Sequence, residues 1–533
     1  MNRAEIEAWI ADDPDPKTAA ELQQLLDAND EAKLSKLFNG FLTFGTAGLR
    51  GPIAPGPSGM NRAVVGRTAA AIAKYMKDRN LDSVVIGRDA RYGSEDFTRE
   101  SAEILSGAGL KVSVLPRPLP TPVLAHAVKK LNAHVGIMVT ASHNPPMDNG
   151  YKVYLNANVD GIDYRGSQII TPTDKLISAE IDKITSLKSQ PRGNAWNDLD
   201  DATFEDYVKR TAKIGKTPGK LKIVYSAMHG VGTETVEAVF KAAGFDAPIL
   251  VTEQAKPDPD FPTVAFPNPE EPGAIDLSLA KAKEVNADLV IANDPDADRC
   301  AAAINDPKHG WRMLRGDELG ILLGDWIART NDGNYGNSIV SSSGLSKIAK
   351  HYGRNFRETL TGFKYLAQIP NLAFAYEEAI GYSVDSQCVA DKDGVSAAMA
   401  LAQLATELAS NGQTIHDRLQ EIWAIIGFHV TEQISIRVDN IKLVGEVLSK
   451  LRNNPPTEIA GFKVTSIDDL AKPSNDLPPT DGLRIWLDDI RVIVRPSGTE
   501  PKMKCYIEVI SDSEDSANEK LAKLREPLKE LLK

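Results

Sequence analysis

Cysteine is nearly absent from this chain: three in 533 residues, Cys300, Cys388 and Cys505, with no C-x-x-C pair. An odd, scattered set excludes a disulfide framework and a thiolate zinc site, and reads as reduced thiols in a cytoplasmic enzyme. No apolar run approaches the ~18–20 residues that span a bilayer, so no membrane partner is expected. The start, "MNRAEIEAWIADDPDPKTAAELQQLL", lacks the basic and apolar regions of a signal peptide. Positive charge is in deficit, with 61 Lys and Arg against 73 Asp and Glu and a formal net charge of −12. That argues against nucleic-acid binding, which needs a basic surface. It also means that an anionic substrate must be met by a local cluster of Arg and Lys. No G-x-x-x-x-G-K-[ST] is present, which excludes a P-loop NTPase.

The chain has ordinary globular contents, 42% hydrophobic and 6% aromatic residues, and a length that calls for several domains. Apolar runs ending in polar or glycine-rich loops recur through its first three-quarters: "SVVIGRDAR", "VGIMVTASHN", "LKIVYSAMHGVG", "ADLVIANDPDADR", "SIVSSSGLS" and "LAFAYEEAIGY". Helical patterns such as "GRTAAAIAKYMKDRN" and "DELGILLGDWIARTN" lie between them. Short buried strands alternating with helices predict α/β units with mostly parallel sheets, whose functional loops sit at the carboxyl ends of strands. The rhythm restarts near residues 195 and 306. After about 425 it gives way to "FHVTEQISIRV", "GLRIWLDD", "RVIVRPSGTEP" and "MKCYIEV", antiparallel strands with flanking helices. The expected division is 1–195, 196–305 and 306–425 as α/β domains and 426–533 as an α+β domain.

In "ANDPDADRC", Asp294, Asp296 and Asp298 alternate just after the strand "DLVIA". Carboxylates about 4 Å apart repel by roughly 4 kcal/mol at an effective dielectric near 20, so convergence needs a counter-charge. Spread along a strand they would span ~13 Å, too far for one ion, and Pro295 removes a ladder donor. A curled loop that brings three oxygens onto Mg²⁺ is the better reading than a solvated acidic turn.

"RPSGTEPKMK" joins two apolar strands and offers Arg495 with the hydroxyls and N–H groups of Ser497, Gly498 and Thr499. It suits a phosphate nest or an ordinary charged hairpin. Arg50 in "FGTAGLRG", Arg88 and Arg91 in "GRDAR", Arg299 after the acidic loop, Lys364 in "TGFKY" and Lys392 in "ADKDG" sit beside loop glycines or at strand ends. Singly they read as surface charge; together, in an acidic chain, they point to a phosphorylated substrate. His229 in "SAMHGVG" reads as a loop-structural residue. Glu377 and Glu378 in "YEEAIGY" could hold sugar hydroxyls, act as an acid and base pair, or be one buried and one exposed glutamate of a connecting loop.

Ser142 in "VTASHNPP" has no G-x-S-x-G elbow. Neighbours on extended backbone point to opposite faces, so His143 is expected to be poorly placed to deprotonate it. A serine beside a Mg²⁺ loop and a phosphate nest suggests phosphoryl transfer instead.

With "TASHNP", "DPDADR", "YEEAIGY" and "RPSGTEPK" in this order, the chain resembles the α-D-phosphohexomutase superfamily over nearly its whole length, within it the phosphoglucomutase/phosphopentomutase branch. The resemblance implies three α/β domains and a mobile α+β domain around a central cleft. It implies that Ser142 is a phosphoserine, that Asp294, Asp296 and Asp298 hold Mg²⁺ with its phosphate, and that Glu377 binds sugar hydroxyls. It further implies that Arg495, Ser497, Gly498 and Thr499 bind the non-reacting phosphate, that His143, Lys152 and Lys392 are acid–base or phosphate-positioning groups, and that Arg50 is an active-site arginine. The activity implied is conversion of glucose 1-phosphate to glucose 6-phosphate through a bisphosphate, with glucose 1,6-bisphosphate as activator, by a monomer or homodimer. One departure stands out. Where much of the family has G-E-x-S, this chain has Tyr376 and Ala379, which resembles the branch that also accepts ribose and deoxyribose 1-phosphates. A Mg²⁺-dependent phosphatase and an idle phosphosugar-binding protein are the competing readings.

Overall fold

The computed structural model describes residues 3–437, 441–472, 477–496 and 502–532. The chain divides into two compact units, residues 1–313 with 381–407, and residues 314–380 with 408–533.

The first unit holds two large sheets, beside a small hairpin of Asn158–Val159 and Ile162–Asp163. One is built from β1 (Leu49–Pro52), β2 (Ser83–Arg88), β3 (Lys111–Val114), β4 (Val135–Val139), β5 (Asp148–Leu155), β6 (Ser167–Gln168) and β7 (Trp196–Asp198). Its order is β1-β5-β4-β2-β3-β7, with β6 on β5. The β4-β2-β3-β7 part is parallel, whereas β5 runs antiparallel to β4 and β1 antiparallel to β5. All five residues of β4, "VGIMV", are buried, as a strand covered on both faces requires. Helix Arg62–Lys77 packs on this core. Asn61 caps it by accepting from Val64 N at 2.9 Å, Lys74 and Lys77 face the negative end of its dipole, and its alanines permit close approach.

The second sheet of this unit comprises β8 (Ile223–Ser226), β9 (Ile249–Leu250), β10 (Leu289–Ala292), β11 (Ala301–Asp306) and β12 (Gly310–Met313), in the order β9-β8-β10-β11-β12. Its first three strands are parallel and the last two form an antiparallel hairpin. Both sheets are therefore mixed, with parallel centres. The acidic loop connects β10 to β11, at the carboxyl end of β10.

In the second unit, β13 (Asn334–Ser338) pairs in parallel with β14 (Phe356–Thr359) and with β15 (Leu372–Glu377). β13 ends at Ser338, so most of "SIVSSSGLS" is turn rather than strand. Only Ile339 N continues the ladder, donating to Thr359 O at 2.8 Å. Five further strands, β16 (Phe428–Arg437), β17 (Ser466–Asp469), β18 (Leu483–Leu487), β19 (Ile490–Pro496) and β20 (Lys502–Ser511), form an antiparallel sheet ordered β16-β20-β19-β18-β17. Helix Glu514–Leu531 packs on β16 and β20, and its stripe of Leu521, Leu524 and Leu528 shares one apolar core with Val430, Ile507 and Val509. Among the described residues no helix is long and apolar enough to cross a membrane. All three cysteines are buried and free.

Candidate active site

Ser142 follows β4 in a turn and carries φ of +52°, the left-handed region that costs a non-glycine residue about 1 kcal/mol or more. Its N–H donates to Thr140 Oγ1 at 2.9 Å. Its Oγ donates to Asp294 Oδ2 at 2.7 Å and lies 3.2 Å from His143 Nδ1. The expectation for His143 is thus corrected. Because Ser142 is left-handed rather than extended, the alternation rule does not apply, and the two side chains meet. Burial, then the Arg299 and Arg50 guanidiniums, push His143 well below its ordinary value, which leaves a neutral ring able to accept a proton. A hydrolytic serine would give its proton to the imidazole; here the hydroxyl bonds to Asp294.

The acidic loop is curled as the sequence suggests. Ala297 N donates to Asp294 O at 2.8 Å, and Ala297 has φ of +54°. Two glycines let neighbouring backbone close on it: a Cβ on Gly230 would fall 2.2 Å from Pro295 Cα, and one on Gly394 2.1 Å from Arg299 O. Asp294, Asp296 and Asp298 are buried, and one oxygen from each lies within 4.8 Å of the others.

Three buried carboxylates need cations, and the unit supplies them. Lys152, projecting from β5, donates to Asp296 Oδ2 at 2.6 Å and to Asp298 Oδ2 at 2.8 Å. Lys392 Nζ stands 3.1 Å from Asp298 Oδ2. Arg299 N donates to Asp294 Oδ1 at 3.0 Å. Burial and the charges of Asp296 and Asp298 push Asp294 up to about 8. For Asp298 burial is outweighed by Lys152, Lys392 and Arg299, which hold it well below the usual carboxylate range.

The donor set fits a small hard cation. Oδ1 of Asp296 and Oδ1 of Asp298 are buried acceptors with no hydrogen-bond partner, and oxygens on opposite sides of an ion with bonds near 2.1 Å stand about 4.2 Å apart, close to the spread seen here. Sequence reasoning missed Thr121, whose Oγ1 donates to Asp296 Oδ2 at 2.6 Å and whose N donates to Asp296 O at 2.9 Å. Arg50 reaches Asn144 Oδ1 at 3.3 Å, on the serine loop. Ser142, His143, Lys152, Arg50, Lys392, Arg299 and the three aspartates are therefore brought together in the first unit. His229 bonds Thr263 Oγ1 through Nε2 at 2.8 Å and has φ of +60°, with no contact to the aspartates among its described hydrogen bonds.

In the second unit, Glu377 Oε1 accepts from Gly362 N at 2.7 Å, and Arg495 donates to Thr361 Oγ1 at 2.6 Å. The loop carrying Lys364 thus links the sugar-loop candidate to the phosphate-loop arginine, and Lys364 Nζ stands 5.8 Å from the Tyr365 ring centroid. Ser497, Gly498 and Thr499 lie outside the described residues. Glu378 is the more exposed of the two glutamates and accepts from Ser338 Oγ at 3.2 Å and Ser341 Oγ at 3.0 Å. Its two serine partners sit in "SIVSSSGLS", where no motif marks them.

Four family models match the chain: phosphoglucomutase/phosphomannomutase alpha/beta/alpha domain I over residues 42–188, domain II over 204–309, domain III over 315–426, and the C-terminal domain over 442–523. A protein of Haemophilus influenzae named as a probable phosphomannomutase is 44% identical over 483 residues, covering 89% of this chain and 98% of its own. A phosphopentomutase of Pongo abelii is 35% identical over 578 residues, covering 97% and 92%. The open form of parafusin, a phosphoglucomutase of Paramecium, shares the fold with a TM-score of 0.71 at 19% identity, covering 92% and 95%.

Proposed function

The chain belongs to the phosphoglucomutase/phosphomannomutase family of phosphate-transferring isomerases, and on that premise we propose that it interconverts glucose 1-phosphate and glucose 6-phosphate through a phosphorylated Ser142 and a bisphosphorylated sugar. The observation that carries this reading is the Ser142 hydroxyl, 2.7 Å from one of three buried, converging aspartates.

Asp294, Asp296 and Asp298 would hold Mg²⁺, which when bound supplies Lewis-acid neutralisation of a phosphate on Ser142. The chain's own residues do the rest. In the first half-reaction the bond from phosphorus to Ser142 Oγ breaks as one to a sugar hydroxyl forms, and the proton the sugar loses is balanced by the one Oγ takes up. His143 is the group to relay that proton: its neutral ring takes the proton from the sugar hydroxyl and passes it to Oγ, 3.2 Å from Nδ1, and the second half-reaction runs the relay in reverse. Lys152 is the poorer candidate, since its ammonium is held between two carboxylates. Lys152 and Lys392 serve as fixed charge, and Arg50 and Arg299 meet the transferring phosphate. The bisphosphate then turns over and returns the other phosphoryl to Ser142. Excluding water is essential, because water competes for the phosphoryl. Lys364, Glu377, Arg495, Ser497, Gly498 and Thr499 keep the substrate-binding roles that their motifs imply. Glucose 1,6-bisphosphate is the activator that phosphorylates Ser142. The division at 195, 305 and 425 is retained, supported by the four matched segments.

A second reading, phosphopentomutase, is favoured by Ala379 in the sugar loop and by the name of the Pongo abelii relative. Phosphorus NMR of the enzyme with Mg²⁺ and a trace of glucose 1,6-bisphosphate, offered glucose 1-phosphate, ribose 1-phosphate and deoxyribose 1-phosphate in turn, decides between them. Faster conversion of the glucose ester supports the first reading, faster conversion of the pentose esters the second, and free phosphate alone overturns both. Ser142→Ala should abolish conversion of every ester.

A further inference from the structure

Arg91 drew attention in the sequence as a cation for substrate phosphate, and the structure gives it a different task. It lies just past β2, where Asp89 N donates to Val139 O at 3.1 Å and so ties this turn to the end of β4. Asp89 Oδ1 accepts from Arg91 N at 3.0 Å and from Ser94 Oγ at 2.7 Å, which fixes the turn. Asp89 Oδ2 lies 3.5 Å from Arg91 Nε and aims the guanidinium. Arg91 is only 5% exposed, and the Phe261 ring covers it with its centroid 4.8 Å from Cζ.

All of the guanidinium's outer nitrogens are spent on one loop. Nη2 donates to Ser142 O and to Asn144 O, both at 2.6 Å. Nη1 donates to Pro145 O at 2.8 Å and to Asp148 O at 3.2 Å. Four carbonyls within seven residues thus point at a single cation. The loop's other bonds are single and scattered, and Pro145 and Pro146 have no N–H to give. Ser142 N reaches Thr140 Oγ1, Asn144 N reaches Ala141 O, Asn144 Nδ2 reaches Asp148 Oδ2 and Asp148 N reaches Pro145 O. Arg50 and Ile53 N each reach the loop once from outside, and none of these bonds gathers more than two of its residues. Yet it must keep Ser142 left-handed, because that angle puts Oγ on Asp294 and beside His143.

We propose that Arg91 is the positioning residue for Ser142: its planar fork gathers the Ser142, Asn144, Pro145 and Asp148 carbonyls and so holds the serine at the angle that phosphoryl transfer requires, without touching the substrate. The proposal rests on Ser142 being the phosphoryl carrier. A lysine has one point-like ammonium and cannot reproduce a fork that spans four acceptors. A displacement of about 1 Å at the reacting oxygen lowers the rate about 100-fold.

The test is single-turnover transfer. Wild type and Arg91→Lys are loaded at Ser142 with glucose 1,6-bisphosphate, checked by mass spectrometry, and mixed with saturating sugar monophosphate in a quench-flow instrument. The expected result is transfer about 100-fold slower in the variant, with KM for the sugar phosphate kept within about threefold. Guanidinium added to Arg91→Ala should restore part of the rate. Transfer at the wild-type rate overturns the proposal, and so does a raised KM with transfer intact, the mark of a phosphate ligand. If Arg91→Lys does not fold, Asp89→Asn, which keeps the guanidinium but removes the carboxylate that aims it, should show the same split at about tenfold. Wild-type transfer in that variant overturns the proposal as well. Failure of the underlying reading is distinct: the wild-type enzyme itself then takes no phosphoryl group on Ser142.

Discussion

Replacing Glu378 by Gln should strip a pH dependence from the stability of the second unit. The carboxyl is largely buried beyond β15, and its bonds from Ser338 and Ser341 only partly compensate. Burial, then the charges of Glu377 and Asp317, push it up to about 7 from an ordinary 4.5. The folded unit therefore keeps a proton that the unfolded chain releases. Stability from this group is complete below pH 4.5 and is lost as pH rises through about 7. At about 1.4 kcal/mol for each pH unit of displacement, the ceiling is about 3 kcal/mol, and the residual exposure of the carboxyl brings the expectation nearer 1.5 kcal/mol. For a unit of this size that is about 3–6 °C in Tm. Differential scanning calorimetry from pH 5 to pH 8 should show the wild-type transition falling by that much relative to Glu378→Gln. Parallel curves would refute the displaced carboxyl. A gap that widens toward acid pH would reverse its sign and make Glu378 a stabilising carboxylate.

Three further outcomes follow from the first unit and the sugar loop. Mg²⁺ at about 100 times its Kd should stabilise the wild-type protein by about 2.7 kcal/mol; Asp296→Asn should lose most of that gain, and an equal rise in Tm for both would refute the three-aspartate site. Thr121→Val removes the hydroxyl 2.6 Å from Asp296 Oδ2, so titration calorimetry should show Mg²⁺ affinity about tenfold weaker; unchanged affinity would mean that Thr121 does not orient this ligand. Ala379→Ser restores a hydroxyl to the sugar loop and should raise kcat/KM for glucose 1-phosphate over ribose 1-phosphate by about tenfold, whereas an unchanged ratio would place discrimination elsewhere.

The parts of this molecule that could be read from residues alone are those whose chemistry is local. Asp294, Asp296 and Asp298 disclose a set of converging carboxylates within five residues, and Pro295 already speaks against a strand. The apolar run of β4 is legible because burial on both faces leaves no polar position. Strand direction is another matter. β5 carries the same kind of run as β4 yet lies antiparallel to it, and nothing in composition records which way a strand points. Lys152 is an intermediate case, a lone ammonium inside the buried "YKVYL", where such a charge demands a partner without naming one.

His143 and Arg91 fail to show through for opposite reasons. For His143 the residue was noticed but the backbone was assumed: alternation holds only while φ stays extended, and a single left-handed residue at Ser142 swings both side chains to one side. For Arg91 the partners are the difficulty. A carboxylate or phosphate partner leaves a trace in sequence, as an acidic residue or a glycine-rich nest. A carbonyl partner leaves none, because every residue has one. The four acceptors that hold Arg91 would be offered by any sequence turning the chain there, so the sequence displays an arginine without its reason. What separates a substrate cation from a loop brace is whether its donors are already occupied, and for Arg91 every outer nitrogen is committed before a substrate arrives.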